Sequence, residues 1–374
     1  MVERKLRIGL VFGGRSGEHE VSLASARSVM ANLDRERYEV VPIGISKAGH
    51  WLLGDQPLRL LTSPTGASET QATESGTTAV TLTGDPTVRR LIPLQEGEPL
   101  RDNGALDVIF PVLHGTYGED GTLQGLLDMA NVPYVGCGVL GSALGMDKEK
   151  MKLIFRAVGL PSAEYVVCLR ATWERSAETV LDTVEASLDY PVFVKPANLG
   201  SSVGINKAHN REELAHALAV AAEYDRKVIV ERGLDCRELE CAVLGNDEPL
   251  ASVVGEIIAS NEFYDYNAKY LDGASRTLIP ADIPQETADE IRRQALQAFA
   301  ALDLSGLARV DFFLEKQTGN VYINEVNTMP GFTEISMYAK LWQASGLPYP
   351  ELLDRLIELA QERFEDKQRN RTSL

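Results

Sequence analysis

The sequence predicts an α/β protein of two or three domains whose first unit is a parallel sheet with helices on both faces. Two observations carry this. The chain has 374 residues, past the length at which one hydrophobic core stops growing and a chain divides. Short apolar runs that end at Gly-Gly or His-Gly lead into segments with apolar residues at helical spacing, and strands alternating with helices favour a parallel sheet. Ligands of such sheets gather at the strand C-termini.

Residues 6–12 read as a buried strand, which Gly13-Gly14 turns into a helix starting near Ser16 and running through Val21, Ser25, Val29 and Leu33. The segment 62–84 is crowded with Ser, Thr and Gly and lacks a sustained period, so it reads as a surface insertion or flexible loop without chemistry. Residues 108–113 are apolar and end at His114-Gly115. Thr122 then caps a helix whose Leu123, Leu126, Leu127 and Ala130 share one face, and 132–135 form the next strand.

Asp147 is the N-cap of a helix with Met151, Ile154, Phe155 and Val158 on one face, ended by Gly159 and Pro161. It opens a second domain. The strand-like segments 190–195 and 227–231 each end in a charged residue and flank a helix through Leu214, Ala217, Leu218 and Ala221. Residues 239–244 and 250–258 then pair as strands. A polar aromatic loop, a helix over 287–302 and two last strands complete the chain.

A hydrophobic content of 44% with 24% charged residues describes a folded globular chain. Its net charge of −17 repels polyphosphate backbones, which argues against nucleic acid as a partner. Cys137, Cys168, Cys236 and Cys241 match neither a CxxC pair nor a zinc framework and suit a reducing cytoplasm. The N-terminus offers no secretory apolar region, and no run approaches the ~18 apolar residues of a membrane helix. The expectation is a cytoplasmic protein that does not engage a membrane.

Residues 136–141 match GxGxxG, but another glycine follows at Gly145 and no acidic residue ends a second strand ~20 residues on, so the segment reads as an inter-domain connector. The run 200–204, Gly-Ser-Ser-Val-Gly, lacks the order of a Walker loop. By itself it reads first as an ordinary Gly-Ser turn, with a phosphate-covering loop as the alternative.

The strongest constellation lies near the end, where 307–314 and 321–326 form a hairpin around 317–320. Pairing centred on Thr318 sets Asp311 opposite Glu325 and Arg309 opposite Asn327, all on one face. Facing carboxylates repel unless a cation lies between them, and an Asp, a Glu and an Asn carbonyl are the oxygen ligands that Mg²⁺ prefers. The alternative is a solvated face neutralised by Arg309 alone.

Five motifs now stand in order: Gly13-Gly14-Arg-Ser-Gly-Glu18-His-Glu-Val-Ser22, His114-Gly-Thr-Tyr-Gly-Glu-Asp-Gly121, Lys195-Pro-Ala-Asn-Leu-Gly-Ser201-Ser-Val-Gly204, Phe263-Tyr-Asp-Tyr-Asn-Ala-Lys269-Tyr270, and Arg309-Val-Asp311 with Asn324-Glu325-Val-Asn327-Thr-Met-Pro-Gly331. With these, nearly the whole chain resembles the D-alanine–D-alanine ligases of the ATP-grasp superfamily. The resemblance implies a three-domain α/β ATP-grasp fold: a substrate-binding domain over 1–136, a central domain over 137–235, and a C-terminal domain over 236–374 carrying a lid at 262–273 and the metal site.

It further implies that ATP phosphorylates one D-alanine and that a second attacks the acyl phosphate. Asp311, Glu325 and Asn327 would hold two Mg²⁺ ions, with Mn²⁺ as a substitute. Lys148 and Lys195 would contact phosphates and Lys269 the transferred group. Arg309 and the Gly331 N–H would stabilise the oxyanion. Glu231 would meet the adenine amine and Glu238 the ribose, although alone Glu231 reads as a strand-end carboxylate and Lys148 as a first-turn lysine.

Glu18 would partner the first D-alanine's ammonium, with Ser201 and Tyr270 bonded to it. Read alone it is an ordinary first-turn glutamate. Ser336 and Met337 match positions flanking the second carboxylate, Met337 replacing the family's leucine. His114 either touches the first substrate or is structural. The resemblance also implies a homodimer through the N-terminal domain. Two rival readings are a non-catalytic ATP-binding protein on the same fold and a relative that accepts D-lactate or D-serine; a tyrosine at 270 resembles the dipeptide-forming members.

Overall fold

The structure, a computed structural model, describes residues 4–54, 58, 77–95, 100–200, 203–258 and 276–371. β1 (Leu6–Gly13) runs parallel to β2 (Tyr38–Ile45) and to β6 (Val108–Pro111), as the alternating pattern requires. The sheet is nevertheless mixed. β3 (Trp51–Gly54), β4 (Thr77–Leu82) and β5 (Leu91–Pro93) add antiparallel strands, giving the order β5-β4-β3-β2-β1-β6. The turn between β2 and β3, closed by the Ser46 N–H donating to the His50 carbonyl, is far too short for a parallel crossover. β4 also corrects the reading of 62–84 as one loop. Its Thr-Thr-Ala-Val-Thr-Leu run is β-branched enough to pair.

α1 (His19–Asn32) begins three residues later than expected and puts Glu18 at its N-cap. α2 (Thr122–Met129) is not capped by Thr122. Gly121, at φ 90°, takes the N-cap, and Asp120 Oδ1 accepts the Thr122 N–H at 3.0 Å. Segment 132–135 makes only an isolated bridge, Tyr134 to Ile109.

α3 (Val139–Met146) was unforeseen, and it shows what the GxGxxG glycines do. A Cβ on Gly141 would lie 2.7 Å from the Asp303 carbonyl oxygen, so the glycine lets α3 pack against backbone. α4 (Lys148–Ala157) is capped as predicted, Asp147 Oδ1 accepting the Lys150 N–H at 3.1 Å.

The middle sheet, β7 (Tyr165–Leu169), β8 (Val192–Pro196), β9 (Asn206–Ala208) and β10 (Lys227–Arg232), is antiparallel in the order β7-β10-β8-β9. It is backed by α5 (Arg170–Arg175), α6 (Ala177–Ser187) and α7 (Arg211–Tyr224) around a core of its own that includes Val192, Val194, Leu214, Leu218 and Val228.

β11 (Cys236–Gly245), β12 (Leu250–Ile258), β13 (Arg276–Leu278), β14 (Gly306–Glu315) and β15 (Val321–Asn327) form the last sheet, in the order β13-β12-β11-β14-β15. α8 (Gln285–Ala301) covers one face of it, and Met151 and Phe155 of α4 share that core. α9 (Met337–Ala344) and α10 (Tyr349–Gln368) close the chain, the leucines of α10 packing in one cluster with Ile8, Leu10 and Phe12. No helix among the described residues is long and apolar enough to cross a membrane.

Candidate active site

The predicted hairpin forms with the predicted pairs: Asp311 faces Glu325 and Arg309 faces Asn327. A bulge achieves it. Nearer the turn Phe312 pairs with Ile323, and the shift at Asn324 lets Ile323 and Val326, three residues apart, both enter the core. Arg309 grips Asp311 with two bonds, Nε to Oδ1 and Nη2 to Oδ2, each 2.7 Å, and Asn327 Nδ2 donates to Asp311 Oδ2 at 3.0 Å.

A third carboxylate, absent from the sequence reading, completes the row. Glu240 on β11 pairs directly with Asp311, is buried, and lies 3.0 Å from Arg309 Nε. Burial opposes the charge of Arg309, yet Asp311, Glu240 and Glu325 outweigh it and hold the guanidinium protonated well above its ordinary value. The band Glu240, Asp311, Glu325 with Asn327 is a set of hard oxygen donors.

Lysines reach this band from the other elements. Lys148, in the first turn of α4, lies 3.2 Å from Glu325 Oε2 and donates to the Leu199 carbonyl at 3.0 Å. Lys195, on β8, donates to Glu231 Oε2 at 2.7 Å. One turn after Lys148, Lys152 sets its Nζ 3.2 Å from the other oxygen, Glu231 Oε1. Burial works against the charge of Glu231, but Lys152 and Lys195 outweigh it and hold the carboxyl below the usual range. Burial, opposed by Glu231, pulls Lys152 below the ordinary lysine value, while Glu231 and Glu325 raise Lys195 against its own burial. Glu238 is half-buried on β11 and adds to the field that raises Lys195.

A second cluster joins the first lobe to the loop before α9. Glu18 is crowded by two glycines. A Cβ on Gly115, at φ +75°, would collide with its Oε2, and one on Gly200 would come within 2.9 Å. His114 is buried, with Nδ1 2.9 Å from the Met329 carbonyl and Nε2 2.9 Å from Ser25 Oγ, which also accepts the Phe332 N–H at 3.2 Å. That network is satisfied by a neutral ring with the proton on Nδ1, and burial lowers its pKa accordingly. Of the two readings of His114, the contacts favour the structural one.

Glu119 grips the same loop from the other side, accepting the Gly115 N–H at 2.5 Å and the Met329 N–H at 3.0 Å, while burial and Glu18 push its pKa up to about 8. Met329 is thus held at both its N–H and its carbonyl, two residues before Gly331. A Cβ on Gly331 would meet Ser336 Oγ at 3.3 Å, and that hydroxyl accepts the Thr333 N–H at 3.0 Å at the start of α9.

Two family models cover the chain: the D-ala D-ala ligase N-terminus over residues 7–137 and the D-ala D-ala ligase C-terminus over 154–358. A D-alanine--D-alanine ligase from Acetivibrio thermocellus is 51% identical over 97% of both chains, and one from Heliobacterium modesticaldum is 54% identical over 98% of both. The chain belongs to the D-alanine–D-alanine ligase family. Among solved structures, the D-alanine-D-alanine ligase of Coxiella burnetii is 37% identical with a TM-score of 0.82, covering 98% of this chain and 97% of its own. The VanG D-Ala:D-Ser ligase of Enterococcus faecalis is 36% identical with the same TM-score, over 96% of this chain and 100% of its own. The fold is accordingly the multi-domain α/β ATP-grasp fold.

Of the residues expected from this ligase family's motifs, Lys148, Arg309, Asp311, Glu325 and Asn327 are linked by the contacts above, while Lys195 pairs with Glu231 and lies in the field of Glu325 and Glu238. Glu18, Gly331 and Ser336 lie in or beside the second cluster. Ser201, Lys269 and Tyr270, with the lid segment 262–273, lie outside the described residues. Sequence reading missed Glu240, Lys152 and Glu119. Glu240 carried a signal, because it is the one charged residue in the run 239–244, which is otherwise apolar.

Proposed function

We propose that this chain joins two D-alanines into D-alanyl-D-alanine for peptidoglycan precursor synthesis. The carboxylate of the first attacks the γ-phosphorus of ATP and ADP leaves. The neutral amine of the second attacks the acyl carbon, the C–O bond to phosphate breaks, and phosphate leaves as the proton lost from the amine nitrogen passes to it. The observation that carries this is the convergence of a three-carboxylate row with Arg309 and Lys148, which touch it, and with Lys195, which lies in the field of Glu325, from two sheets and a connecting helix. Bringing a polyphosphate to a carboxylate gathers negative charge, and fixed cations with hard oxygen donors are what such a step needs.

In this reading Asp311, Glu325 and the Asn327 carbonyl hold Mg²⁺, as two ions, with Mn²⁺ able to replace it. Their donor chemistry fits: all are oxygens, and Asn327 turns its Nδ2 toward Asp311, which keeps its carbonyl an acceptor. When bound, the metal supplies positive charge to the phosphates. Lys148 and Lys195 take phosphate oxygens and Lys269 the transferred group, while Glu231 and Glu238 bind adenosine. Glu18 holds the first ammonium with Ser201 and Tyr270 around it. Arg309 and the Gly331 N–H receive the oxyanion, and Ser336 the second carboxylate. One sheet falls in each of 1–136, 137–235 and 236–374, which supports that division into domains, with α4 bridging the second and third. We assign the enzyme to the cytoplasm, where ATP is available, and to a homodimer.

Purified protein with ATP and Mg²⁺ should release ADP when D-alanine is added and form D-alanyl-D-alanine. L-alanine, D-lactate and D-serine serve as comparison acceptors. A flat response to D-alanine refutes the proposal, and a preference for D-serine would move it toward the second type of structural neighbour.

A further inference from the structure

Lys152 has no role in the chemistry above, yet its side chain is 1% exposed and one carboxylate, Glu231, takes Lys152 on Oε1 and Lys195 on Oε2. Burying a lysine at this depth is costly unless it is paired. The arrangement is one charge more than a pair needs. Glu325, 3.2 Å from Lys148, also lies in the field of Lys152 and Lys195, so the three lysines share one region. Around them Tyr165 on β7 lies in the field of Glu231, Glu238 on β11 acts on Lys195, and Glu325 on β15 acts on both Lys152 and Lys195.

We propose that Lys152 is a positioning residue, the standing counter-ion that keeps Glu231 compensated while Lys195 leaves it for the phosphates of ATP. The inference rests on the nucleotide reading above and deepens it. Without a second lysine, Lys195 would have to abandon a buried carboxylate in order to bind phosphate, and an uncompensated buried charge is among the most destabilising features a protein can hold. With Lys152 on Oε1, the exchange leaves a complete ion pair behind. Departure of Lys195 also removes a like charge that opposes the protonation of Lys152, so Lys152 holds its proton more firmly when it stands alone with Glu231. The helix supports this division of labour. Lys148 and Lys152 are one turn apart on α4 and share a face, the outer one reaching the carboxylate row and the inner one fixed beneath Glu231.

Lys152→Met keeps the volume and removes the charge. Calorimetry with ATP·Mg²⁺ and with adenosine separates the proposed role from a packing role, because adenosine carries no phosphate to draw Lys195 away. The expected result is a loss of ATP affinity of ~10-fold or more with adenosine affinity changed less than ~2-fold. In a Glu231→Gln background there is no charge to compensate, so adding Lys152→Met should change ATP affinity less than ~2-fold; this comparison also decides the matter if Lys152→Met alone does not fold. Equal losses for ATP and adenosine, or the same loss in both backgrounds, would overturn the inference while leaving the ligase reading intact. A wild-type chain that binds no ATP would overturn both.

Discussion

Replacing Asp311 by asparagine tests the charge arrangement through stability, with neither nucleotide nor metal present. Viewed as two facing carboxylates, Asp311 and Glu325 repel, and removing one charge should raise the melting temperature. The observed contacts reverse that sign. Asp311 takes both arms of Arg309 at 2.7 Å and the Asn327 amide at 3.0 Å, in a place where the Asp311 and Arg309 side chains are 14% and 18% exposed. An asparagine keeps one acceptor and turns its amide N–H toward another donor. Breaking such a buried pair outright costs about 3–5 kcal/mol, but Glu240 stays 3.0 Å from Arg309 Nε, so a net loss of ~2 kcal/mol is expected. That corresponds to roughly 4–8 °C if the last sheet and its helices melt together. Differential scanning calorimetry of the ligand-free variant measures it, and coupled ADP release on the same sample should fall by ~100-fold or more as the metal loses a carboxylate. A melting temperature equal to or above wild type would refute the reasoning.

Gly115→Ala should cost ~1–3 kcal/mol of stability and raise the KM for the first D-alanine, because the residue sits at φ +75° and its Cβ would displace the Glu18 carboxylate; two-substrate kinetics that leave that KM unchanged would separate Glu18 from the substrate. Glu119 gives the stability a pH dependence. Its folded pKa of about 8 lies above the ordinary 4.5, so the folded chain keeps a proton that the unfolded chain gives up. The contribution is whole below the ordinary value and is lost as pH rises through about 8. Glu119→Gln should flatten the slope of melting temperature against pH across that window, and an unchanged slope would assign the titration elsewhere.

Much of the site was legible because local rules decide it. Asp147 caps its helix by a bond within one turn, and the hairpin pairs follow from a short turn between two alternating strands, with the bulge at Asn324 preserving the register that the core demands. What escaped notice depends on distant neighbours. Glu240 becomes a partner of Arg309 only because β11 lies beside β14, and Lys152 looks like any helix lysine until β10 brings Glu231 beneath it. The mixed character of the first sheet was missed for a related reason. The alternation of strand and helix fixes β1, β2 and β6, but of the strands added on the far edge β4 lies in a Thr-rich segment that resembles a loop in composition, and β3 and β5, Trp-Leu-Leu-Gly and Leu-Ile-Pro, are too short to show a period.

The packing of the final helix against the first strand has a consequence for the order in which the protein is made. Ile8, Leu10 and Phe12 leave the ribosome well before Leu352, Leu353, Leu356 and Ile357, which share their core. Domains of a growing chain usually fold as units, N-terminal first. Here the face of the first sheet that carries Ile8, Leu10 and Phe12 has α1 against it but must wait for α10, and Arg363, whose Nη2 donates to the Tyr134 carbonyl at 3.0 Å, follows on the same helix. A chain that stopped before α10 would therefore leave the opening lobe without the leucines that pack against it.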